Sequence, residues 1–463
     1  MLTNKKLSSS RRSPDNRRRG AALVLSALMC LAIVPMIGLA VDGARAYMMR
    51  AQLSRAVDAA VLAAGRSLNV GADISSQAAN ATAVAQKYFN ANLPSGDWGA
   101  TNVTNTVSVA QNNTTHVRTV TVTGSANIPL TFMGLINLPS AHVSLTGTAQ
   151  RRDVNVILAL DNSGSMQRGN AMGPMIADAT DFVNMFAGGR DQLGLIQFTG
   201  TSYLAFAPSV NFKTASPNVT TLISQLTSNN GATNSSQAIW MAYQQLKKLN
   251  QPGALNVIVL FTDGLANTFT ADFTKLMTGC SNTTSPVSGV LFAYVDNSGI
   301  VGLSDPTATQ LNDVSESRPA PSAGSCTSVF PTGSIASYLT ALPIVDTNGN
   351  STNGAGTMPA YAPVNVSHVD PVDVTNAGLN LLDDAANRIR SDKTYTPLIY
   401  VVGLGSNPGL PPDQVLMARI ANDPSSPSYN NKQPAGLFVE APAISDLHGA
   451  FLRVASEVLR LAQ

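Results

Sequence analysis

Charge is scarce in this chain. Asp, Glu, Lys and Arg make up 12% of its 463 residues, against about 25% in a typical soluble domain. Cysteine and histidine are scarce too, with three and four residues. Three cysteines exclude a disulfide scaffold and an Fe–S protein. His116 and His142 stand alone, and neither His368 nor His448 follows a strand beside a nucleophile. There is no Walker P-loop, no H-E-x-x-H, no G-x-S-x-G and no C-x-x-C, and no second metal cluster or general base that would suit a metal-assisted hydrolase. The sequence therefore reads as a non-enzyme. Seven of the basic residues lie in residues 1–19 against the single acid Asp15, giving that head +6, so the rest of the chain carries −4 of the net +2. A nucleic-acid binder would show a basic face on its body, and no nucleic-acid partner is expected. Apolar residues reach 44%, which supports a sizeable core and excludes a charge-driven disordered chain. The length suits two or three domains.

What is present begins with a long apolar run. Ala21 to Val41 contains no charged residue, which is enough for a helix to cross a bilayer. Pro35 and Gly38 within it are tolerated in membrane helices. The basic head (1–20) precedes the span (21–41) and Asp42 follows it, so the positive-inside rule leaves the head in the cytoplasm and the body outside. Two other readings use the same residues. Gly38 and Ala40, or Ala44 and Ala46, offer small-x-small cleavage sites, but the run exceeds the usual apolar core of a signal peptide. Cys30 follows Met29, where a lipidation site needs a small residue, and reads as an apolar residue of the helix.

Ala44 to Arg66 continues as a helix: Leu53, Val57, Ala60 and Ala64 recur at helical spacing and make one apolar face. Arg45, Arg50 and Arg55 fan around it. The block from Arg18 to Arg66, with Arg19-Gly20 before the span, GLAVDGARAY at 38–47 and LSRAVDAAVLAA at 53–64, resembles the N-terminal module of TadE/TadG-like pilus-assembly proteins. Prepilin-type relatives carry a Glu five residues after the cleavage glycine; here that position is Leu25, which favours an uncleaved anchor. Beyond a second helix ending near Phe89, the runs TNVTNTVSV, THVRTVTVTGSANIPL and AHVSLTGTAQ alternate β-branched and polar residues and read as half-buried strands. Residues 42–152 are thus expected to be a stalk helix with a small β module, and PLTFMGLINLPSAHVSLTGTAQ resembles the closing segment of the same family's module.

Residues 153–463 change character. DVNVILAL, QLGLIQFT, LNVIVLFTD and PLIYVVGLG are near-continuous apolar runs, separated by helical patterns at Met175 to Ala187, Ser235 to Leu249 and Ala377 to Arg390. A final helix fits Ile444 to Leu461. Such alternation predicts an α/β fold: a doubly wound, mostly parallel sheet covered on both faces. The first strand ends in Asp161-Asn162-Ser163-Gly164-Ser165, another ends in Asp263-Gly264, and Thr233 precedes the helix from Ser235. Ligands in open α/β sheets bind beyond the carboxyl ends of strands where the order reverses. Two carboxylates and three hydroxyls there, without His or Cys, describe a hard-cation site. The blander reading makes Asp161 and Asp263 turn residues and helix caps.

The set Asp161, Ser163, Ser165, Thr233 and Asp263 resembles the metal-ion-dependent adhesion site of the von Willebrand factor type A domain, a Rossmann-like fold. The resemblance implies that Ser163, Ser165 and Thr233 ligate a divalent cation, Mg²⁺ first and Mn²⁺ or Ca²⁺ as alternatives. Asp161 and Asp263 would orient the hydroxyls and act through water, and a Glu or Asp of a protein partner would complete the shell. A segment of about 267–375, rich in Ser, Thr, Gly, Pro and Asn, interrupts this domain and is expected to fold as a subdomain beside the metal face. Cys280 and Cys326 lie within it and are expected to pair outside the cytoplasm. Together the two resemblances imply a single-pass protein of the bacterial inner membrane, N-terminus cytoplasmic and body periplasmic, acting in tight-adherence pilus assembly. A surface adhesin using the same site for a host or matrix ligand is the alternative, with a metal-dependent hydrolase as a third and less favoured reading.

Overall fold

A computed structural model describes residues 15–68, 70, 71, 73–229, 231–273, 287–294, 296–314, 328–331, 339, 341–354, 359–367, 369–405 and 411–462. Residues 1–67, 80–109 and 120–149 form one compact unit; residues 68–79, 110–119 and 150–463 form another. Cys280 and Cys326, with their expected pairing, lie outside the described residues, as does most of the basic head.

In the first unit, helix α1 (Asp15–Ser67) runs unbroken through Pro35. Its first half is apolar and exposed: Leu23, Leu28, Leu31 and Ile37 each show more than half of their surface. Its second half buries Met49, Leu53, Ala56, Val57, Ala60, Val61 and Ala64, a stripe repeating every three to four residues. These meet a three-stranded sheet of β1 (Thr101–Asn112), β2 (Val117–Pro129) and β3 (Ser140–Arg152), with β2 central. β2 alternates buried and half-buried positions along its length, as a strand with one face on a core must. Gly124 and Gly147 lie where a Cβ would strike Phe89 and Val57, so their absence of a side chain lets the sheet close on α1 and on α2 (Ile74–Asn92).

The second unit centres on a six-stranded sheet. Its strands are β4 (Val154–Asp161), β5 (Gln192–Phe198), β6 (Ser202–Ser209), β7 (Leu255–Thr262) and, after four further strands, β12 (Leu398–Leu404) and β13 (Leu437–Ala441). The order is β13-β12-β7-β4-β5-β6. All neighbours are parallel except β5 and β6. Every residue of β4, β7 and β12 is buried, the pattern of strands covered on both faces.

Helices α3 (Gly164–Arg168), α4 (Met172–Asn184), α5 (Val219–Ser224), α6 (Ser235–Leu249), α7 (Pro371–Arg390), α8 (Gln414–Ala421) and α9 (Leu447–Leu461) complete the fold. Alternate residues of β4 serve opposite cores. Val156, Leu158 and Leu160 pack with Met175, Phe182, Phe451 and Val454 of α4 and α9. Ile157 and Ala159 pack with Ile239, Leu246, Leu382, Ile389 and Met417 of α6, α7 and α8. This is the doubly wound α/β arrangement that the sequence predicts.

The interrupting segment holds a separate sheet, β8 (Thr268–Phe273), β9 (Val287–Ala293), β10 (Gly299–Ser304) and β11 (Ser328–Pro331), antiparallel throughout and ordered β11-β10-β9-β8. Phe269, Ala271, Leu291 and Ile300 pack against Val374, Ala377 and Leu381 of α7. That helix starts earlier than its apolar pattern suggests. Asp370 accepts from the Asp373 amide at 2.8 Å and Pro371 takes the first turn, where its missing N–H costs nothing.

Candidate metal centre

The strand order reverses around β4, which has β5 on one side and β7 on the other. The carboxyl ends of β4 and β7 therefore flank the crevice where doubly wound sheets bind ligands. Asp161 closes β4, and the chain turns at once into α3. The turn is held by the Ser163 amide donating to Asp161 Oδ1 at 2.8 Å. The Gly164 amide donates to Gly231 O at 3.1 Å and the Asn229 amide to Asn162 O at 2.8 Å, so the loop before α6 is tied to the loop after β4.

Three of the five candidate side chains form one hydrogen-bonded chain, and Asp161 joins it through the Ser163 amide. The Ser163 and Ser165 hydroxyls lie 2.8 Å apart, and Ser165 Oγ donates to Asp263 Oδ1 at 2.6 Å. Thr262 Oγ1 donates to Asp161 Oδ2 at 2.7 Å, joining β7 to β4 beneath the site. Thr233 comes in from the start of α6, where Asn234 caps the helix and Asn267 Oδ1 accepts from the Thr233 amide at 3.0 Å. A Cβ on Gly264 would sit 2.9 Å from Thr233 Oγ1 and 3.4 Å from Ser165 Oγ. Glycine there keeps open the space between these hydroxyls.

All five residues are buried. Burial drives the Asp263 carboxyl up to about 8, with the negative charge of Asp161 adding to it. Burial likewise raises Asp161 to about 6, against the bonds from Thr262 and Ser163. A cation would reverse both shifts. The donor set is oxygen throughout, of the hydroxyl and carboxylate kind that Mg²⁺, Mn²⁺ and Ca²⁺ take. With the space kept by Gly264, these residues fit such an ion.

Thr262 and Asn267 have no role in the sequence reading, yet they fix Asp161 and Thr233. The signal for Thr262 is a hydroxyl at the last strand position beside Asp263. Asn267 stands just past that strand, and nothing in its spacing points to Thr233. The interrupting segment also reaches this edge. Val314 O accepts from Thr199 Oγ1 and from the Thr201 amide; Asn312 bonds Thr227 and Gln225; Thr270 Oγ1 accepts from Asn234.

Two other groupings fall outside the site. His448 Nδ1 and Asp178 Oδ1 lie 2.9 Å apart, with Asp181 at 3.9 Å, joining α9 to α4. A cleft of about 600 Å³ beside α6 and α7 includes Trp240, Tyr243, Arg388 and Asp392 and none of the five candidate residues. Its walls are satisfied by each other: Arg388 stacks on Trp240 at 4.4 Å and Tyr243 donates to Asp392 at 2.8 Å.

Residues 156–265 match the von Willebrand factor type A domain family, and residues 20–67 match the Flp pilus-assembly TadE/G-like family. No curated protein matches the chain. Among solved structures, the PilB minor pilin from Streptococcus sanguinis is similar at 14% identity, over 79% of this chain and 79% of that one, with a TM-score of 0.37. The von Willebrand factor domain of the type V pili tip protein Mfa5 from Porphyromonas gingivalis is similar at 15% identity, over 68% of this chain and 97% of that one, with a TM-score of 0.36. The pilus adhesin SpaC from Lactobacillus rhamnosus GG is similar at 12% identity, over 78% of this chain but 34% of its own length, with a TM-score of 0.36. These likenesses are distant, and the fold assignment rests on the strand order and the family match.

Proposed function

We propose, from the premise that this chain joins a TadE/G-like segment to a von Willebrand factor type A domain, that it is a membrane-anchored envelope component of tight-adherence pilus assembly. It binds a partner protein through a divalent cation held at the edge of β4 and β7. The reading is carried by one observation: two buried carboxylates and three hydroxyls from three separate loops converge beside Gly264.

Ser163, Ser165 and Thr233 would hold the ion through their hydroxyls. Asp263 accepts from Ser165, which turns that hydroxyl's lone pairs toward the site. Asp161, fixed by Thr262 and the Ser163 amide, supplies negative charge at one remove. When bound, the cation supplies positive charge and a coordination position open to a partner's Glu or Asp. The segment around Thr270, Asn312 and Val314 braces the loops that carry Thr199, Thr227 and Thr233, so it shapes the surface the partner meets. With α1 as anchor, the basic head is cytoplasmic and the body lies on the far side of the inner membrane.

The test is a pull-down from envelope extract with the full chain and with Asp161→Ala, each with and without chelator. A partner retained by the wild type and lost both with chelator and with the variant is the expected result. Equal retention in all four arms sinks the metal-bridged reading.

A further inference from the structure

The loop between β2 and β3, Leu130 to Pro139, lies against the apolar half of α1. Three successive amides, those of Thr131, Phe132 and Met133, donate to the Asp42 carboxylate at 2.8, 2.9 and 2.8 Å. Arg45 Nη1 donates to Thr131 Oγ1 at 2.8 Å. Asp42 is the first charged residue after the uncharged run and is only 2% exposed. Four residues before it, Gly38 has no Cβ, and a Cβ there would fall 2.6 Å from Phe132 Cβ and Cγ. At 1.5 Å rise per residue, Phe132 meets α1 about 6 Å inside the uncharged run. From Thr119 to Gln150 the sequence holds no Asp, Glu, Lys or Arg. Leu138, beyond the short turn Met133–Ile136, is 50% exposed.

A single exposed Leu needs no explanation. Its company here does. A loop at the level of a membrane span must have its backbone N–H groups satisfied, and the Asp42 carboxylate accepts three of them at the point where the helix leaves its apolar run. We propose that Leu130–Pro139 is a second membrane contact, lying in the lipid interface on the side of the folded body, with Phe132 beside Gly38 and Leu138 toward the acyl chains. The occupant is the bilayer itself, because the loop is continuous with the exposed apolar surface of α1. The proposal rests on the reading that residues 21–41 cross the membrane.

Tryptophan placed at Leu138 reports the environment directly. The full chain with Leu138→Trp, and separately with Leu28→Trp in the middle of the span, is reconstituted into phosphatidylcholine–phosphatidylglycerol vesicles whose acyl chains carry bromine near the headgroup or near the terminal methyl. The wild-type signal from Trp98 and Trp240 is subtracted. The Leu138→Trp emission should lose most of its intensity to shallow bromine and little to aqueous iodide, while Leu28→Trp responds to deep bromine. Iodide quenching of Leu138→Trp without bromine quenching, while Leu28→Trp still responds, overturns the loop contact and leaves the span intact. Loss of bromine quenching at both positions overturns the span and the loop together. Pro139→Trp, also at an exposed position, gives the same readings if Leu138→Trp does not fold.

Discussion

Gly264 controls how close the strand-end loops approach. Alanine there would place a methyl 2.9 Å from Thr233 Oγ1, so one of the two must shift. Gly264→Ala is expected to keep the far-UV spectrum of the chain and to lose most of the rise in Tm that Mg²⁺ gives the wild type, a rise that follows from binding only the native state. A full Mg²⁺ response in the variant would mean that the space beside Thr233 is not where the ion sits. The same carboxylates set a pH dependence. Without a cation, folding raises Asp161 to about 6 and Asp263 to about 8 from ordinary values near 3.8. The folded pair holds protons that the unfolded chain has released, so its contribution to stability falls as pH rises from about 4 to about 8. A cation favours the ionised pair, so the Mg²⁺-induced rise in Tm should be larger at pH 8 than at pH 5. Equal rises at both pH values would show that the pair does not govern binding. That Asp161, Ser163, Ser165 and Asp263 gather at one sheet edge was legible, because they follow apolar runs in a chain with so few charges; Thr233, in the polar loop before α6, joined them through the resemblance to the adhesion site. Thr262, Asn267 and Gly264 were not legible, because their roles are set by distances between loops far apart in sequence.

At the scale of elements, a buried ionic cluster braces the foot of the larger unit. Arg151 and Arg190 both donate to Asp191, and Asp191 also accepts from the Ala187 amide at 2.9 Å. Arg118 donates to Gln77 and Gln111 at 3.0 and 2.9 Å, and Gln111 donates to Asp153 at 3.1 Å. Burial pulls the Arg151 guanidinium down to about 10 against the pull of Asp191. Asp191→Asn removes the charge that two buried arginines share, and breaking a buried pair by removing one partner costs about 3–5 kcal/mol. Urea unfolding of the full chain in detergent micelles should show that loss, and a change under about 1 kcal/mol, typical of surface pairs, would mean that water reaches the cluster. The cluster was not legible in the sequence: Gln77, Arg118, Arg151 and Asp191 come from four separate stretches, and although Arg118 falls on the buried register of the alternating run that forms β2, nothing in that run points to Gln77 or Gln111. The four inner strands β4, β5, β7 and β12 were legible because burial on both faces demands unbroken apolar runs. β6 and β13 were not, since edge strands such as Ser202–Ser209 are half-buried and mix polar residues into a short run. Strands β8, β9 and β10 of the interrupting sheet are mostly buried, but all four of its strands are short, four to seven residues each, and set among Ser-, Thr- and Pro-rich stretches that hide them in the sequence.

For the molecule as a whole, charge scarcity makes the few clustered charges decisive for orientation. The head carries seven basic residues, while the first turns after the run offer Arg45, Arg50 and Arg55. Orientation follows the Lys and Arg bias within about 15–20 residues of the span, and acids count for little. Replacing Arg11, Arg12, Arg17, Arg18 and Arg19 with glutamine leaves Lys5 and Lys6 at the edge of that window against three arginines beyond the span, so the bias reverses. In the cell, a C-terminal alkaline phosphatase fusion to the full chain, active only outside the cytoplasm, should lose activity in the substituted chain at equal expression. The wild-type fusion should be active. Unchanged activity in the substituted chain would show that something other than the head orients α1. A loop that grips Asp42 and sits at Gly38 can form only after the span has stopped, so it cannot choose the orientation but would stabilise whichever one lets Leu130–Pro139 meet the interface from the body's side.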